Sequence, residues 1–291
     1  MSFTIISFYK YIAIESPDEL RDDFRHICTD LQLLGRILVA KEGINAAVSG
    51  KTENIKKLKR LLLQNHLFTN LTFREQETNT LAHHKLVVRV RTEIVHFGEK
   101  VDMSKVGIPL SPTKLQQWYQ KQEDFVIVDA RNEYEHKVGK FKNAVTLPID
   151  NFREFPAATH QLKDYKTKKI VLYCTGGVRC EKASAYLKEQ GFEQVYQIEG
   201  GIINYVNQFP NSYWEGGLFV FDDRIVSDIG EPITECTFCG IECEQYHNCH
   251  NLECDQLFIA CPECTVKMKT TCSEQCTQAP KQRKELRKKK I

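Results

Sequence analysis

Apolar positions in the first hundred residues alternate between helical and strand spacing. They recur three or four positions apart from Leu20 to Leu34, and again from Ile55 to Leu62, which predicts two helices with one apolar face each. Strands are predicted around them at residues 4–9, 36–40, 44–49 and 71–75, with a further extended strand at 85–95. The order βαββαβ is typical of a ferredoxin-like, or acylphosphatase-like, fold, which we expect over residues 1–100.

The pattern changes near residue 111, where continuous apolar strands begin to alternate with helices. The strands are predicted at residues 125–130, 143–149, 169–174 and 194–198. Uninterrupted apolar strands that alternate with helices favour a parallel sheet covered on both faces, so we expect an α/β domain at residues 111–214. Beyond it, the periodicity fades into a cysteine-rich module at 215–280 and a basic tail at 281–291.

Composition adds a cellular context and a charge asymmetry. The 291 residues contain no apolar run near the roughly 18 residues that a membrane span needs, and the first residues lack the features of a signal peptide. We therefore expect a cytoplasmic protein with no membrane association, in which the 12 cysteines stay reduced.

The tail carries seven of the 40 Lys and Arg residues and one of the 38 Asp and Glu residues. This charge predicts contact with a polyanion, and a merely solubilising tail is the alternative.

A short loop with unusual composition separates a buried strand from a helix. It consists of Cys174, Thr175, Gly176, Gly177, Val178 and Arg179. Cys174 is expected at the carboxyl end of a parallel strand, where open α/β sheets place their chemistry. The two glycines allow backbone N–H groups to point into the loop, while the helix dipole and Arg179 add positive charge. These features favour a thiolate, so we predict that Cys174 is a catalytic nucleophile in an anion-binding loop.

Two alternatives accompany this loop. Cysteine-dependent phosphatases also cradle an anion over a cysteine, but their arginine lies one position later, where this chain has Cys180. Cys180 itself has two interpretations. It either resolves an oxidised Cys174 as a disulfide or simply begins the following helix.

The cysteine-rich module has the spacing of metal sites. Two C-x2-C pairs about twenty residues apart are typical of structural zinc, and they comprise Cys236, Cys239, Cys261 and Cys264. A second site is suggested by Cys249, Cys254, Cys272 and Cys276. Because the module is poor in apolar residues, a metal would supply folding free energy that its core lacks. Disulfides and an iron–sulfur cluster are the alternatives.

The central domain resembles the rhodaneses, whose active-site loop also runs from cysteine to arginine over six residues. Further matching motifs are Asp129-Ala130-Arg131 at a strand end, Gly139, Asn143-Ala144, and Glu199-Gly200-Gly201 before the last helix. Gly139-Lys140-Phe141 stands where rhodaneses often have Gly-His-Ile. The resemblance implies that Cys174 carries sulfur as a persulfide held by the loop amides.

Taken together, the motifs of all three regions resemble one family. KEGINAAVSG, CTGGVRCEKAS and NCHNLECDQLFIACPEC follow one another as in the rhodanese-domain tRNA uridine 34 hydroxylases. This resemblance implies oxygen-dependent formation of 5-hydroxyuridine at the wobble position, with molecular oxygen as co-substrate, tRNA as partner and Cys174 as the required cysteine. No sequence feature indicates an obligate protein partner. Arg89, Arg91, the cysteine-rich module and the basic tail are expected to contact tRNA phosphates. A rhodanese-type sulfurtransferase and a non-catalytic RNA-binding or scaffold protein are the alternatives.

Overall fold

The amino-terminal part of the chain forms a five-stranded sheet with two helices. The computed structural model of the protein describes residues 2–210, 212–227 and 229–282. The first elements are β1 (Phe3–Tyr11), α1 (Pro17–Asp30), β2 (Leu34–Ala40), β3 (Gly43–Lys51), α2 (Thr52–Gln64), β4 (Arg74–Thr78) and β5 (Leu86–Val90). The sheet order is β4-β1-β3-β2-β5, in which only β2 and β5 are parallel. This arrangement confirms the predicted ferredoxin-like unit and adds β5 to its edge.

Alternation along these strands gives the sheet two different faces. In β2, Ile37 and Val39 are fully buried in the core beneath α1 and α2. Arg36 and Leu38 therefore point to the opposite face, as the two-residue period of a strand requires. The same alternation in β1 and β3 keeps one whole face of the sheet free of the two helices.

Two strands of the first unit differ from their predicted bounds. The strand expected at 71–75 begins only at Arg74, because the Leu71 N–H closes a turn onto the Phe68 carbonyl at 3.0 Å. The strand expected at 85–95 ends at Val90. Beyond it the chain turns, and Glu93 accepts hydrogen bonds from the backbone N–H groups of Phe97 and Gly98.

The second unit is built on a parallel sheet. Its elements are β6 (Ile108–Leu110), α3 (Pro112–Gln120), β7 (Val126–Asp129), α4 (Glu133–Val138), β8 (Gly139–Phe141), β9 (Val145–Thr146), α5 (Phe155–Ala158), β10 (Lys169–Tyr173), α6 (Val178–Glu189), β11 (Gln194–Ile198) and α7 (Gly201–Gln208). The order β6-β11-β10-β7-β9 is parallel throughout, with β8 outside this sheet. The predicted α/β architecture is confirmed, although the strand expected at 143–149 is reduced to two residues.

The carboxyl-terminal part is made of short ribbons and turns. Its elements are β12 (Trp214–Gly216), β13 (Leu218–Phe219), β14 (Val226–Ser227), β15 (Tyr246–Asn248), β16 (Leu257–Ile259), α8 (Pro262–Lys267) and α9 (Glu274–Thr277). β12 pairs with β8, so the boundary expected after residue 214 falls within a strand that joins the second unit. Most of the predicted basic tail lies outside the described residues. None of the described helices has the length and apolar character needed to cross a membrane.

A buried ion pair holds the centre of the second unit together. Arg131 is fully buried and donates hydrogen bonds to Asp129 at 2.7 Å and to the Gly139 carbonyl at 2.7 Å. Its guanidinium also lies over the rings of Tyr173 and Trp214, at 5.5 and 5.2 Å from their centres. The side chain thereby connects β7, β8, β10 and β12.

We expect Arg131→Ala to destabilise the protein strongly, because it leaves the buried Asp129 carboxylate without its cation. Breaking one partner of such a pair costs about 3–5 kcal/mol of unfolding free energy. Urea denaturation monitored by tryptophan fluorescence measures this loss. Arg60→Ala on the exposed face of α2 is the control and should change stability by less than about 0.5 kcal/mol. Equal stability of the two variants would contradict the assignment.

Candidate active site

Cys174 lies directly after β10, the central strand of the parallel sheet. Ile170, Val171, Leu172 and Tyr173 are all fully buried, and Cys174 is 1% exposed at the carboxyl end of the strand. Gly177 has a φ of 96°, in the left-handed region that favours glycine, and its N–H donates a hydrogen bond to the Cys174 sulfur at 3.0 Å. The loop geometry therefore directs a backbone dipole at the sulfur, as its sequence predicts.

The surroundings of Cys174 favour the thiolate despite its burial. Burial alone raises the pKa of Cys174, but hydrogen bonding by Cys180, the charge of Arg179 and the backbone N–H groups of Arg179 and Cys180 outweigh it and lower the pKa to about 6. Burial and the neighbouring Cys174 raise the pKa of Cys180 well above its usual value. Near neutral pH, Cys174 is therefore the charged partner and Cys180 the neutral thiol.

The charge of Arg179 is held by a residue that the sequence did not single out. Glu135, which is fully buried, accepts two hydrogen bonds from the Arg179 guanidinium, at 2.5 and 2.7 Å. Glu135 also accepts a hydrogen bond from the Asn132 N–H at 3.2 Å at the start of α4. An Asn-x-x-Glu spacing before a helix was the available signal. Glu135 thus fixes the arginine beside the loop instead of leaving it free to reach an anion.

The amino-terminal sheet packs directly on the Cys174 loop. The Tyr9 hydroxyl donates to Glu181 at 2.8 Å, and the Tyr11 hydroxyl donates to the Val178 carbonyl at 3.2 Å. Arg74 Nε donates to the Gly200 carbonyl at 2.9 Å. These contacts join residues more than a hundred positions apart, and for this reason helical or strand periodicity could not predict them.

The loop opens into a cavity of about 500 Å³ between the three parts of the chain. Its walls come from the helix-free face of the first sheet, the loops of the second unit and residues 220–224 of the third. Among the loop residues, Cys174, Thr175, Gly176, Val178 and Arg179 line this cavity. Gly177 instead faces Tyr9, whose hydroxyl would lie 3.1 Å from an added Cβ. The volume falls within the range of about 300–1,000 Å³ that small-molecule sites occupy.

The cysteine-rich module contains two groups of four sulfur atoms, remote in sequence from the Cys174 loop. One group is Cys236, Cys239, Cys261 and Cys264, and the other is Cys249, Cys254, Cys272 and Cys276. Within each group all sulfur atoms lie within 4.8 Å of one another. Closest approaches of 3.6–3.7 Å exceed the roughly 2.05 Å of a disulfide and approach the roughly 3.8 Å edge of a tetrahedron with Zn–S bonds of about 2.3 Å. Either group could hold a metal ion.

Three protein families match successive parts of the chain. Residues 3–94 match the UPF0176 acylphosphatase like domain, residues 111–208 match the Rhodanese-like domain, and residues 215–277 match the family described as Rhodanase C-terminal. These descriptions agree with the fold classes of the first two units.

Curated relatives match the chain over almost its whole length. A protein of Cytophaga hutchinsonii is 40% identical over 97% of this chain and 92% of its own. One of Photorhabdus laumondii is 41% identical over 94% of this chain and 80% of its own, and one of Chlamydia felis is 36% identical over 96% and 89%. Each of the three is named tRNA uridine(34) hydroxylase.

Solved structures of rhodanese-like proteins match a smaller part of the chain. The solution structure of a rhodanese-like domain from Anabaena is 21% identical and covers 37% of this chain and 78% of its own, with a TM-score of 0.32. A likeness of this size does not bear on function.

We expect Cys174 to be alkylated by iodoacetamide with a rate that rises half-maximally near pH 6. Cys180→Ala should move this midpoint to higher pH, because it removes a hydrogen bond that stabilises the thiolate. Mass spectrometry of the peptide that contains Cys174 measures the rate apart from the other cysteines. A wild-type midpoint near 9, the usual value for a thiol, would contradict the electrostatic account of the loop.

Proposed function

We infer that this chain, which belongs to the tRNA uridine(34) hydroxylase family, hydroxylates uridine 34 of tRNA and uses Cys174 as its reactive residue. Full-length similarity to relatives of that name supports the reaction and the substrate. The central observation from the site is a cysteine with a pKa of about 6 on the wall of a cavity of about 500 Å³. A cavity of this size accommodates a nucleoside, and a thiolate there can act on it directly.

The uridine must leave the stacked anticodon loop to reach Cys174. Enzymes that act on a base generally extrude it into a pocket, and this costs little free energy when the base lies in a single-stranded loop. The Cys174 cavity is formed by three parts of the chain, so a nucleotide inside it would be shielded from water on several sides. The product proposed is 5-hydroxyuridine: one atom of molecular oxygen is added at C5, and the other leaves as water with two protons and two electrons from an external reductant. Cys174 is proposed to take part as a thiolate or persulfide.

The wider tRNA contact is proposed to follow the helix-free face of the first sheet. Arg89 in β5 pairs in register with Leu38 in β2, so its side chain points to the same face as Arg36 and Leu38. Arg91 and the basic tail at 281–291 are proposed to extend this positive surface. A tRNA substrate also implies a cytoplasmic location.

The two cysteine groups are proposed to bind one structural zinc ion each. Four thiolate ligands at tetrahedral spacing suit zinc, and short ribbons such as β15 and β16 bury little apolar surface of their own. The metal ions would then hold the module against α4, where Tyr134 packs on Phe219 with ring centres 5.0 Å apart. Their proposed role is structural and separate from the chemistry at Cys174.

We expect Cys174→Ser to abolish 5-hydroxyuridine at position 34, because serine is not a thiolate near neutral pH. Nucleosides from tRNA of cells lacking the protein, complemented with wild type, Cys174→Ser or Cys28→Ser, are measured by mass spectrometry. Cys28→Ser, a buried cysteine of the first unit, is the control and should restore the nucleoside. Full restoration by Cys174→Ser would overturn the role of Cys174, and loss of a thiolated nucleoside instead would indicate a sulfurtransferase.

We also expect the purified protein to contain two zinc ions per chain by elemental mass spectrometry. Cys239→Ser and Cys254→Ser should each remove one ion, since each variant leaves its group with three thiolates. Cys28→Ser should retain both ions. A metal-free wild-type protein with disulfides among these eight cysteines would contradict the zinc proposal.

A further inference from the structure

One large aromatic side chain is exposed inside the Cys174 cavity. Phe221 is 54% exposed and lines this cavity, whereas the three residues before it, Leu218, Phe219 and Val220, are buried. The Arg179 guanidinium lies over the Phe221 ring, 5.7 Å from its centre, and the same guanidinium stabilises the Cys174 thiolate. Single exposed apolar residues are common on protein surfaces, but this one presents its ring to a ligand beside the reactive sulfur.

The turn that carries Phe221 is fastened to the first unit. The Arg224 guanidinium donates a hydrogen bond to the Gln76 side-chain oxygen in β4 at 2.9 Å. The Asp223 N–H donates to the Ala82 carbonyl at 2.8 Å. These bonds hold the backbone on the carboxyl side of Phe221, so little ordering of this turn is left for ligand binding.

The rest of the cavity wall suits a nucleotide. Its arginines outnumber its carboxylates, and the charged residues are Arg36, Arg74, Arg153, Arg179 and Arg224 against Glu75 and Asp222. Excess positive charge in a cleft attracts anionic ligands, such as a phosphate-linked nucleotide. The Arg36 and Arg153 side chains are exposed, so phosphates outside the base site can reach them.

We propose that Phe221 is the platform on which the base of the extruded nucleotide stacks beside Cys174. This inference rests on the proposed function and names the residue that holds the base during the reaction. A base that leaves the anticodon loop loses the stacking of its neighbours, and an aromatic ring in the cavity replaces part of that interaction. Because every base has a flat π face, Phe221 holds the base without identifying it.

The test compares two anticodon stem-loop RNAs that differ only at position 34, one with uridine and one with an abasic ribose. Fluorescence anisotropy measures their affinities for the whole protein. Wild type should bind the uridine RNA about tenfold more tightly, as expected for one stacked base. Phe221→Leu keeps an apolar side chain without a π face and should bind the two RNAs about equally. Phe221→Tyr keeps the ring and should retain the preference.

Leu63→Ala is the matched control, because Leu63 is also an exposed apolar residue, 41% exposed, but lies on α2, on the other face of the first sheet. It should keep the wild-type preference. Equal binding of the two RNAs by wild type, or an unchanged preference in Phe221→Leu, would overturn the proposal.

Hydroxylation of the uridine RNA is measured in parallel. A preference that follows the ring at residue 221, without hydroxylation by wild type, would support the platform and remove the proposed function. Hydroxylation by a wild type that binds both RNAs equally would do the reverse. The two failures can therefore be told apart.

A fluorescent ring at the same position tests the contact itself. The two native tryptophans, Trp118 and Trp214, are buried, so a tryptophan at residue 221 reports separately after the wild-type signal is subtracted. In Phe221→Trp, the uridine RNA should quench the added fluorescence and the abasic RNA should quench it much less. In Leu63→Trp, the two RNAs should have equal effects. Equal quenching of Phe221→Trp by both RNAs would show that no base stacks there.

Discussion

A negatively charged sulfur atom at 1% exposure is the constraint on which the site depends. Burial opposes the thiolate, so fixed groups have to stabilise it more than water would. The Gly177 N–H at 3.0 Å, the Cys180 thiol and Arg179 do so together. Arg179 is in turn held by Glu135, whose own position is set by the start of α4. The thiolate form of Cys174 therefore depends on Glu135 of α4 as well as on the loop that follows β10.

The amino-terminal sheet contributes to this site because its two faces have different roles. One face carries Ile37 and Val39 and is covered by helices, while the other carries Arg36 and Leu38 and covers the Cys174 cavity. Tyr9 and Tyr11 bind the loop from the same sheet. The ferredoxin-like unit thus acts as a wall of the site, and its exposed Arg36 adds positive charge to that wall.

The local pattern of apolar residues and glycines predicted the fold class and the reactive loop, because each depends on residues that are close together in the sequence. Apolar spacing from Leu20 to Leu34 yields α1, and the glycines beside Cys174 yield the N–H contact. The partners of the loop were missed because they come from distant parts of the chain, as Glu135 and Tyr9 do. The strand expected at 85–95 was too long because a run of apolar residues does not reveal that Glu93 captures the following N–H groups.

The proposed reaction requires one uridine, outside its stacked loop, to lie beside the buried thiolate of Cys174. A crystal structure of the Cys174→Ser variant with a tRNA anticodon stem-loop tests this placement most directly. We expect uridine 34 to be extruded from the anticodon loop and bound in the cavity that Cys174 lines. A uridine that remains stacked in the anticodon loop, away from this cavity, would contradict the central role of Cys174.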